Sequence, residues 1–403
     1  MIFRRSIFNK LEKHLYRDEV TLITGARQVG KTTLMKQLQD FLNLKGKSTT
    51  FLNLEIIETL DILNKNPENI WQFVEKNKKK QYVFLDEIQY LKNPSNFLKH
   101  LHDEYRAELK LIVSGSSAFY IDQKFTDSLA GRKRLFILRS LNFAEFLLFK
   151  GYKNLSEKIE RKLKLLLNDE KNVMQLYEEY ITYGGYPRVV LSPKKEREEV
   201  LREIINSYLK KDIDEQGIKD AGSLLDFLRI LANQTGGLLN LHEVSATLRV
   251  SLQKIKEYYK LLQKTFYVHS VRPFYKNLRK ELTKMPKCYF LDCGIRNYLI
   301  KDFRPLNLRN DRGAMLEQAV FTELAQKYDD DRSIQFWRTQ NKNEIDFVVD
   351  AKKAYEVKYD EKSFSSAKYK LWRHTYPEIP LRCVAFIKLG PQNNRKALFP
   401  WAI

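Results

Sequence analysis

The chain has 403 residues, of which 43% are hydrophobic and 30% are charged, with 15 glycines and 11 prolines. This composition excludes a collagen-like, mucin-like or wholly disordered protein, and the length predicts about two to four domains. Lysine and arginine number 71 against 50 aspartates and glutamates, which gives a formal net charge of +21. A charge of this sign and size favours a polyanionic partner, such as nucleic acid, over a surface that is merely solubilising.

Cysteine content and hydropathy indicate the compartment. The 3 cysteines include no CxxC pair, which argues against a disulfide framework and against a structural zinc site. No apolar run reaches the roughly 18–20 residues that a membrane-spanning helix needs, and the first residues lack the apolar segment of a signal peptide. We therefore expect a soluble, cytoplasmic protein without a membrane partner.

Strands alternate with helices in the first part of the chain. Apolar runs at 20–24, 48–54, 82–85 and 109–113 predict strands, and residues 33–42 have apolar side chains at helical spacing. Such alternation is typical of a parallel sheet that is covered by helices on both faces.

A glycine-bounded loop follows the first predicted strand. Its sequence, Gly-Ala-Arg-Gln-Val-Gly-Lys-Thr, fits the phosphate-binding pattern GxxxxGK[ST]. The main-chain N–H groups of such a loop wrap a phosphate, and the following helix adds its N-terminal dipole. Lys31 would place a charge between the β- and γ-phosphates, and Thr32 would offer a hydroxyl to Mg²⁺. We assign the nucleotide contacts to Gly25, Ala26, Arg27, Gln28, Val29, Gly30, Lys31, Thr32 and Thr33.

Two carboxylates follow the apolar strand at 82–85. Asp86 would hold Mg²⁺ through water, and Glu87 would orient or polarise the attacking water. Downstream of a phosphate loop, this pair predicts hydrolysis of the bound nucleotide rather than simple nucleotide storage.

Polar residues after the strand at 109–113 are further candidates. Ser114 or Ser116 would sense the γ-phosphate, because ligands bind at the carboxyl ends of such strands; capping of a helix is the alternative. Arg132 would stabilise charge in the transition state, either within one chain or from a neighbouring subunit of a homo-oligomer. A solvated basic loop is the other interpretation of Arg132.

The middle of the chain is predicted to be helical. A turn signal, Tyr-Gly-Gly-Tyr-Pro at 183–187, interrupts the pattern, and residues 224–262 suit three short helices followed by a wing strand at 266–272. The third helix exposes Gln253, Lys254 and Lys256, which suits contact with DNA. Docking of a protein is the alternative.

Acidic residues and a lysine recur near the end of the chain. Glu317 lies on a predicted helix, Asp346 on a strand, and Glu356 and Lys358 on one face of the next strand. A hairpin between the strands would bring these side chains together, so that the carboxylates share Mg²⁺ or Mn²⁺ and the lysine stabilises charge during phosphodiester hydrolysis. A solvated hairpin with one ion pair is the alternative.

Eight segments together resemble the AAA+-type ATPases of a prokaryotic family in which a domain of unknown function, DUF4143, follows the ATPase core. They are residues 24–33, 83–89, 113–117, 129–132, 141–146, 183–187, 290–294 and 313–323. The resemblance implies a P-loop ATPase, a winged helix and a restriction-nuclease-like C-terminal fold. The last part resembles the PD-(D/E)XK nucleases, which implies that Asp346 and Glu356 are metal ligands and that Lys358 is catalytic, although no proline precedes Asp346.

The sequence thus predicts an α/β protein with an AAA+-like P-loop sheet, a helical lid, a winged helix and a mixed α/β nuclease-like domain. The expected boundaries are 1–150, 151–220, 221–280 and 281–403. The function that we expect is Mg²⁺-dependent ATP hydrolysis that acts on DNA or is regulated by it. The alternative is a nucleotide-dependent switch whose winged helix and C-terminal domain dock partners without cleaving them.

Overall fold

The computed structural model describes residues 3–75, 79–115, 129–216, 220–275, 281, 284–328, 333–341, 343–388 and 397–403, with the backbone alone at 208–216. The chain divides into two compact units, residues 1–139 with 264–266 and residues 140–263 with 267–403. Within these described ranges, no helix combines the length and the apolar character needed to cross a bilayer. The four-domain division stays a prediction.

A parallel sheet forms the centre of the first unit. Its strands are β1 (Val20–Thr24), β2 (Thr49–Asn53), β3 (Gln81–Asp86), β4 (Leu109–Gly115) and β5 (Lys133–Ile137), in the order β2-β3-β4-β1-β5. The helices of this unit are α1 (Phe8–His14), α2 (Lys31–Leu44), α3 (Ile57–Lys65) and α4 (Pro94–Tyr105). All of the sheet's strand pairs are parallel, as the alternating pattern predicts.

The central strands β1, β3 and β4 are buried at every residue. Side chains alternate between the two faces of a strand, so this burial means that both faces of the sheet are covered. Leu22, Val83 and Val113 from these three strands share one core cluster with α4. The arrangement leaves the carboxyl ends of the strands at one edge, where β1 leads into the glycine-bounded loop.

Helices dominate the first part of the second unit. They are α5 (Phe143–Phe149), α6 (Lys153–Glu160), α7 (Leu167–Tyr183), α8 (Pro187–Leu191), α9 (Arg197–Gln216), α10 (Ala221–Asn233), α11 (Leu241–Leu248), α12 (Leu252–Lys264) and α13 (Cys293–Ile300). The break between α7 and α8 falls at the predicted turn, where Gly184 has a φ of +80°. The three predicted helices before residue 264 correspond to α10, α11 and α12.

A six-stranded mixed sheet forms the rest of this unit. It contains β6 (Val268–Pro273), β7 (Lys287–Phe290), β8 (Ile334–Arg338), β9 (Glu344–Val349), β10 (Lys353–Asp360) and β11 (Leu381–Ile387), in the order β11-β10-β9-β8-β6-β7. The helices α14 (Arg312–Ala325) and α15 (Lys370–Thr375) complete the described elements. The turn between β9 and β10 places Asp350 and Ala351 at positive φ, as a tight hairpin requires.

The winged helix stays a prediction, and the strand that the sequence assigns to its wing lies in the six-stranded sheet. It is β6, which pairs with β7 in an antiparallel hairpin and also with β8 through Arg272 and Pro273. Its main-chain groups are therefore shared between β7 and β8, since β6 lies between these two strands in the sheet.

Candidate nucleotide-binding site and C-terminal carboxylate cluster

The loop after β1 needs its glycines. Gly25 has a φ of +148°, and a Cβ atom there would lie 2.0 Å from the carbonyl oxygen of Leu138. Gly30 has a φ of +98°, caps the N-terminus of α2 and has no neighbour within 4 Å of a Cβ position. The loop is therefore tightly packed at its start and open at its end, where the N–H groups of α2 begin.

Lys31 turns back over this loop. Its Nζ atom donates hydrogen bonds to the carbonyl oxygens of Gly25, at 3.0 Å, and of Ala26, at 2.9 Å. The side chain is buried. The loop's own main chain thus holds the ammonium group inside the turn that the sequence assigns to phosphate.

Asp86, at the end of β3, accepts hydrogen bonds from side chains on α2 and β4. Thr32 Oγ1, at the start of α2, donates to Asp86 Oδ2 at 2.7 Å. Ser114 Oγ, at the end of β4, donates to Asp86 Oδ1 and accepts a hydrogen bond from the Glu87 N–H at 3.1 Å. A hydroxyl beside a carboxylate at a phosphate loop is a donor set that suits Mg²⁺. Ser116, the other predicted sensor, lies outside the described residues.

Glu87 leaves the strand in an unusual backbone conformation. Its φ of +58° lies in the left-handed region, which a non-glycine residue adopts at a cost. Gln89 Nε2 donates to Glu87 Oε2 and so restrains the carboxylate. Gln89 is a site residue that the sequence interpretation missed, because the Asp-Glu-Ile-Gln spacing does not indicate the direction of the glutamine side chain.

Arg132 lies at the opposite end of the same sheet, where the parallel strands begin. It precedes β5, its carbonyl oxygen accepts from the Val20 N–H at the beginning of β1, and its Nε donates to Asp103 Oδ1 at 2.6 Å. The phosphate loop follows the far end of β1, a strand length of about 16 Å away. This position disfavours contact with the nucleotide of the same chain, and contact from a neighbouring subunit and a solvated basic loop both stay predictions for Arg132.

The C-terminal carboxylates come together as the hairpin predicts. Asp346 Oδ2 on β9 accepts from the Val357 N–H on β10 at 2.7 Å, and Lys358 Nζ contacts Glu356 Oε1 on the same face. Burial, followed by the nearby carboxylates of Glu317 and Glu356, raises the pKa of Asp346 well above its usual value. The carboxylates of Glu317 and Glu356 therefore lie close enough to affect the titration of Asp346.

A residue that the sequence interpretation missed joins this cluster. Lys287 on β7 has its Nζ atom 2.9 Å from Glu317 Oε1 and 2.6 Å from Glu344 Oε1, and only 1% of its side chain is exposed. Burial lowers the pKa of Lys287, and the carboxylates of Glu317, Asp346 and Glu344 raise it by more, so the group stays charged. A lysine inside an otherwise apolar strand was the available signal.

A metal site in this cluster is not shown by the structure. Over the ranges described above, no group of three or more histidine, cysteine, aspartate and glutamate residues could hold a metal ion. The metal site assigned to Glu317, Asp346 and Glu356 therefore stays a prediction.

Three known families match parts of the chain. An AAA domain matches residues 17–147, a domain of unknown function (DUF8612) matches 174–309, and a domain of unknown function (DUF4143) matches 312–395. The parallel sheet with its phosphate loop is thus that of a P-loop AAA domain. The chain combines this domain with DUF4143, which confirms the resemblance to that family of AAA-type ATPases.

Relatives that align over most of the chain are themselves described as uncharacterized proteins. One from Haemophilus influenzae is 27% identical over 90% of this chain and 87% of its own length. One from Methanocaldococcus jannaschii is 22% identical over 84% and 74%, and one from Mycobacterium tuberculosis is 24% identical over 87% and 72%. A solved structure of C. elegans PCH-2 is 14% identical, covers 47% of this chain and 61% of its own, and has a TM-score of 0.33.

Proposed function

We propose that this protein is a Mg²⁺-dependent ATPase whose turnover responds to DNA. The observation that carries the proposal is the meeting of Thr32, Asp86 and Ser114 at the carboxyl edge of the sheet, next to the loop that holds Lys31. Ligands of open α/β sheets bind at this edge. The AAA domain that matches residues 17–147 supports nucleotide binding.

The roles follow from the positions of the side chains. The loop N–H groups and Lys31 would bind the β- and γ-phosphates, with Lys31 exchanging the Gly25 and Ala26 carbonyls for phosphate oxygens. Thr32 and Asp86 would hold Mg²⁺, which neutralises charge that develops on the phosphates.

Hydrolysis also requires an oriented water. Glu87 would orient it, and Gln89 fixes the glutamate carboxylate before substrate binds. Ser114 bridges the carboxylate of Asp86, which would hold Mg²⁺, and the main-chain N–H of Glu87. It would therefore position both residues rather than sense phosphate alone.

Charge and local structure support DNA as the regulator. The formal net charge is +21, and α12, the third helix of the proposed winged helix, exposes Gln253, Lys256 and Lys260. Lys254 is partly covered, and its Nζ atom lies 5.8 Å from the centre of the Tyr258 ring. Exposed lysines on one helix suit contact with phosphates of a duplex.

The decisive experiment measures ATP turnover with and without duplex and branched DNA. We expect DNA to stimulate turnover and Lys31→Ala to reduce it by about 100-fold or more, since the variant loses a charge placed at the transition state. Lys36→Ala, an exposed lysine on the same helix α2, is the matched control and should retain turnover. Equal turnover in the Lys31→Ala and wild-type proteins would refute the ATPase.

A second candidate is a nucleotide-dependent switch whose winged helix and nuclease-like domain dock partners without cleaving them. The ion pairs of Glu317 with Lys287 and of Glu356 with Lys358 favour it, because they engage the carboxylates that would bind the metal. Incubation of labelled branched DNA with Mg²⁺ or Mn²⁺ separates the candidates. Cleavage that is lost in Asp346→Ala would establish the nuclease, and turnover unaffected by DNA would favour the switch.

A further inference from the structure

The C-terminal cluster already contains its own cation. Lys287 Nζ lies between Glu317 Oε1, at 2.9 Å, and Glu344 Oε1, at 2.6 Å, and the ammonium group is almost fully buried. Tyr289, two residues further along β7 on the same face, donates its hydroxyl to the same Glu317 oxygen. Strand β7 thus directs two donors at the carboxylates on α14 and β9.

The other carboxylates have protein partners as well. Arg338 contacts Glu344 Oε2 at 2.7 Å, the Val357 N–H donates to Asp346 Oδ2, and Lys358 pairs with Glu356 Oε1. Glu356 Oε2 is buried and has no hydrogen-bond partner among the residues that the structure describes. Four acidic side chains therefore face three basic ones, Lys287, Arg338 and Lys358.

A divalent cation does not fit this arrangement. Its ligands would have to approach to about 2.0–2.6 Å, and one Glu317 oxygen, Oε1, already accepts hydrogen bonds from both the Lys287 ammonium group and the Tyr289 hydroxyl. A cation bound by Glu317 and Asp346 would also lie beside a buried ammonium group, and two like charges at such separations repel strongly in a poorly solvated interior.

We propose that the ammonium group of Lys287 supplies the positive charge for which a PD-(D/E)XK site would use a metal, so that the cluster is a permanent ion-pair network. The proposal concerns the C-terminal domain alone and is independent of ATP hydrolysis at the phosphate loop. It predicts that Lys287, and not the absence of suitable carboxylates, keeps the cluster free of metal.

Mn²⁺ binding to the nucleotide-free protein tests this proposal, with electron paramagnetic resonance and the thermal melting temperature as readouts. We expect the wild-type protein and Asp346→Asn to bind the same amount of Mn²⁺ and to show the same small shift in melting temperature. Lys287→Met should bind one further equivalent of Mn²⁺ and gain a larger upward shift, because the ion replaces the lost charge. Both gains should disappear in Lys287→Met/Asp346→Asn.

Lys110→Met is the matched control for removing a buried lysine. Lys110 is fully buried on β4, and its Nζ atom donates to the main-chain oxygen of Glu19 rather than to a carboxylate cluster. This variant should gain no Mn²⁺. Mn²⁺ uptake by the wild-type protein that Asp346→Asn removes would overturn the proposal, and so would a folded Lys287→Met that gains none. If Lys287→Met does not fold, the comparison of wild type with Asp346→Asn still decides the question.

Discussion

At the scale of single residues, Ser114 links the Asp86 carboxylate to the main chain of Glu87 in the candidate nucleotide site. Its hydroxyl donates to Asp86 and accepts from the Glu87 N–H, and the residue is fully buried. A side chain with one donor and two acceptor positions can satisfy both neighbours at once, which neither alanine nor valine can do. Ser114 is therefore expected to set the geometry of both residues.

Replacement of Ser114 by alanine tests this role. The change leaves the Glu87 N–H and one Asp86 oxygen with one partner fewer, so we expect a loss of about 1–3 kcal/mol in the free energy of unfolding. We also expect a lower kcat with a smaller change in nucleotide affinity. Denaturant titration and steady-state kinetics measure the two effects.

Thr24→Val is the matched control for stability. The Thr24 hydroxyl lies at the end of the neighbouring strand β1, is buried and makes no hydrogen bond with any residue that the structure describes. Its removal should cost little or nothing in unfolding free energy. If both variants lose the same stability, the two hydrogen bonds of Ser114 contribute nothing specific.

At the scale of elements, Asp292 joins the turn between α7 and α8 to the start of α13. Its Oδ1 atom accepts from the N–H groups of Gly294, at 2.9 Å, and Ile295, at 3.2 Å, while Oδ2 accepts from the Gly185 N–H at 2.8 Å. Burial raises the pKa of Asp292, and these hydrogen bonds act in the opposite direction. Residues 183–187 and 290–294, which are distant along the chain, therefore contact each other through Asp292.

Gly294→Ala should break this junction. A Cβ atom at Gly294 would lie 2.0 Å from the Tyr183 carbonyl oxygen, which belongs to rigid main chain, so we expect a loss of about 3 kcal/mol in unfolding free energy. Gly313→Ala is the control, because it lies in the first turn of α14 with nothing within 4 Å of its Cβ position. That variant should be about 0.5–1 kcal/mol more stable. A lower melting temperature for both variants would show that the close approach of the Tyr183 carbonyl oxygen is not what makes alanine unfavourable at Gly294.

At the scale of the whole molecule, the net charge of +21 suits a polyanionic partner, and the number of lysines that contact phosphates determines how binding to DNA should depend on salt. Each lysine that contacts a phosphate releases counterions, so it contributes about 0.9 to the slope of log K against log salt concentration. We expect Lys256→Ala/Lys260→Ala, on α12, to lower the magnitude of this slope by about 2. Titrations of labelled duplex at several salt concentrations measure it.

Lys171→Ala serves as the control for that experiment. It removes an exposed lysine from α7, outside the proposed winged helix. Its slope should change by less than that of the α12 variant. Equal slopes for the wild-type protein and the α12 double variant would locate the DNA contacts on another surface.

The sequence predicts local structure correctly where residues close together in the chain determine the main-chain conformation. The phosphate loop depends on two glycines at fixed spacing, and the strand ending at Asp86 depends on an apolar run, so both could be predicted. The hairpin that brings Asp346 next to Glu356 also follows from alternation and a short turn. These features involve main-chain conformations that a few residues decide by themselves.

The sequence by itself therefore determined the parallel α/β domain with its phosphate loop, and the pairing of the C-terminal strands. Only the tertiary structure showed that Arg132 lies at the opposite end of the sheet from the phosphate loop and that Ser114 contacts both Asp86 and Glu87. The same holds for the ion pairs of Lys287 with the C-terminal carboxylates. The physical reason is that these contacts depend on the order of strands within a sheet. That order is set by the burial of whole faces, and the spacing of residues along the chain carries little information about it.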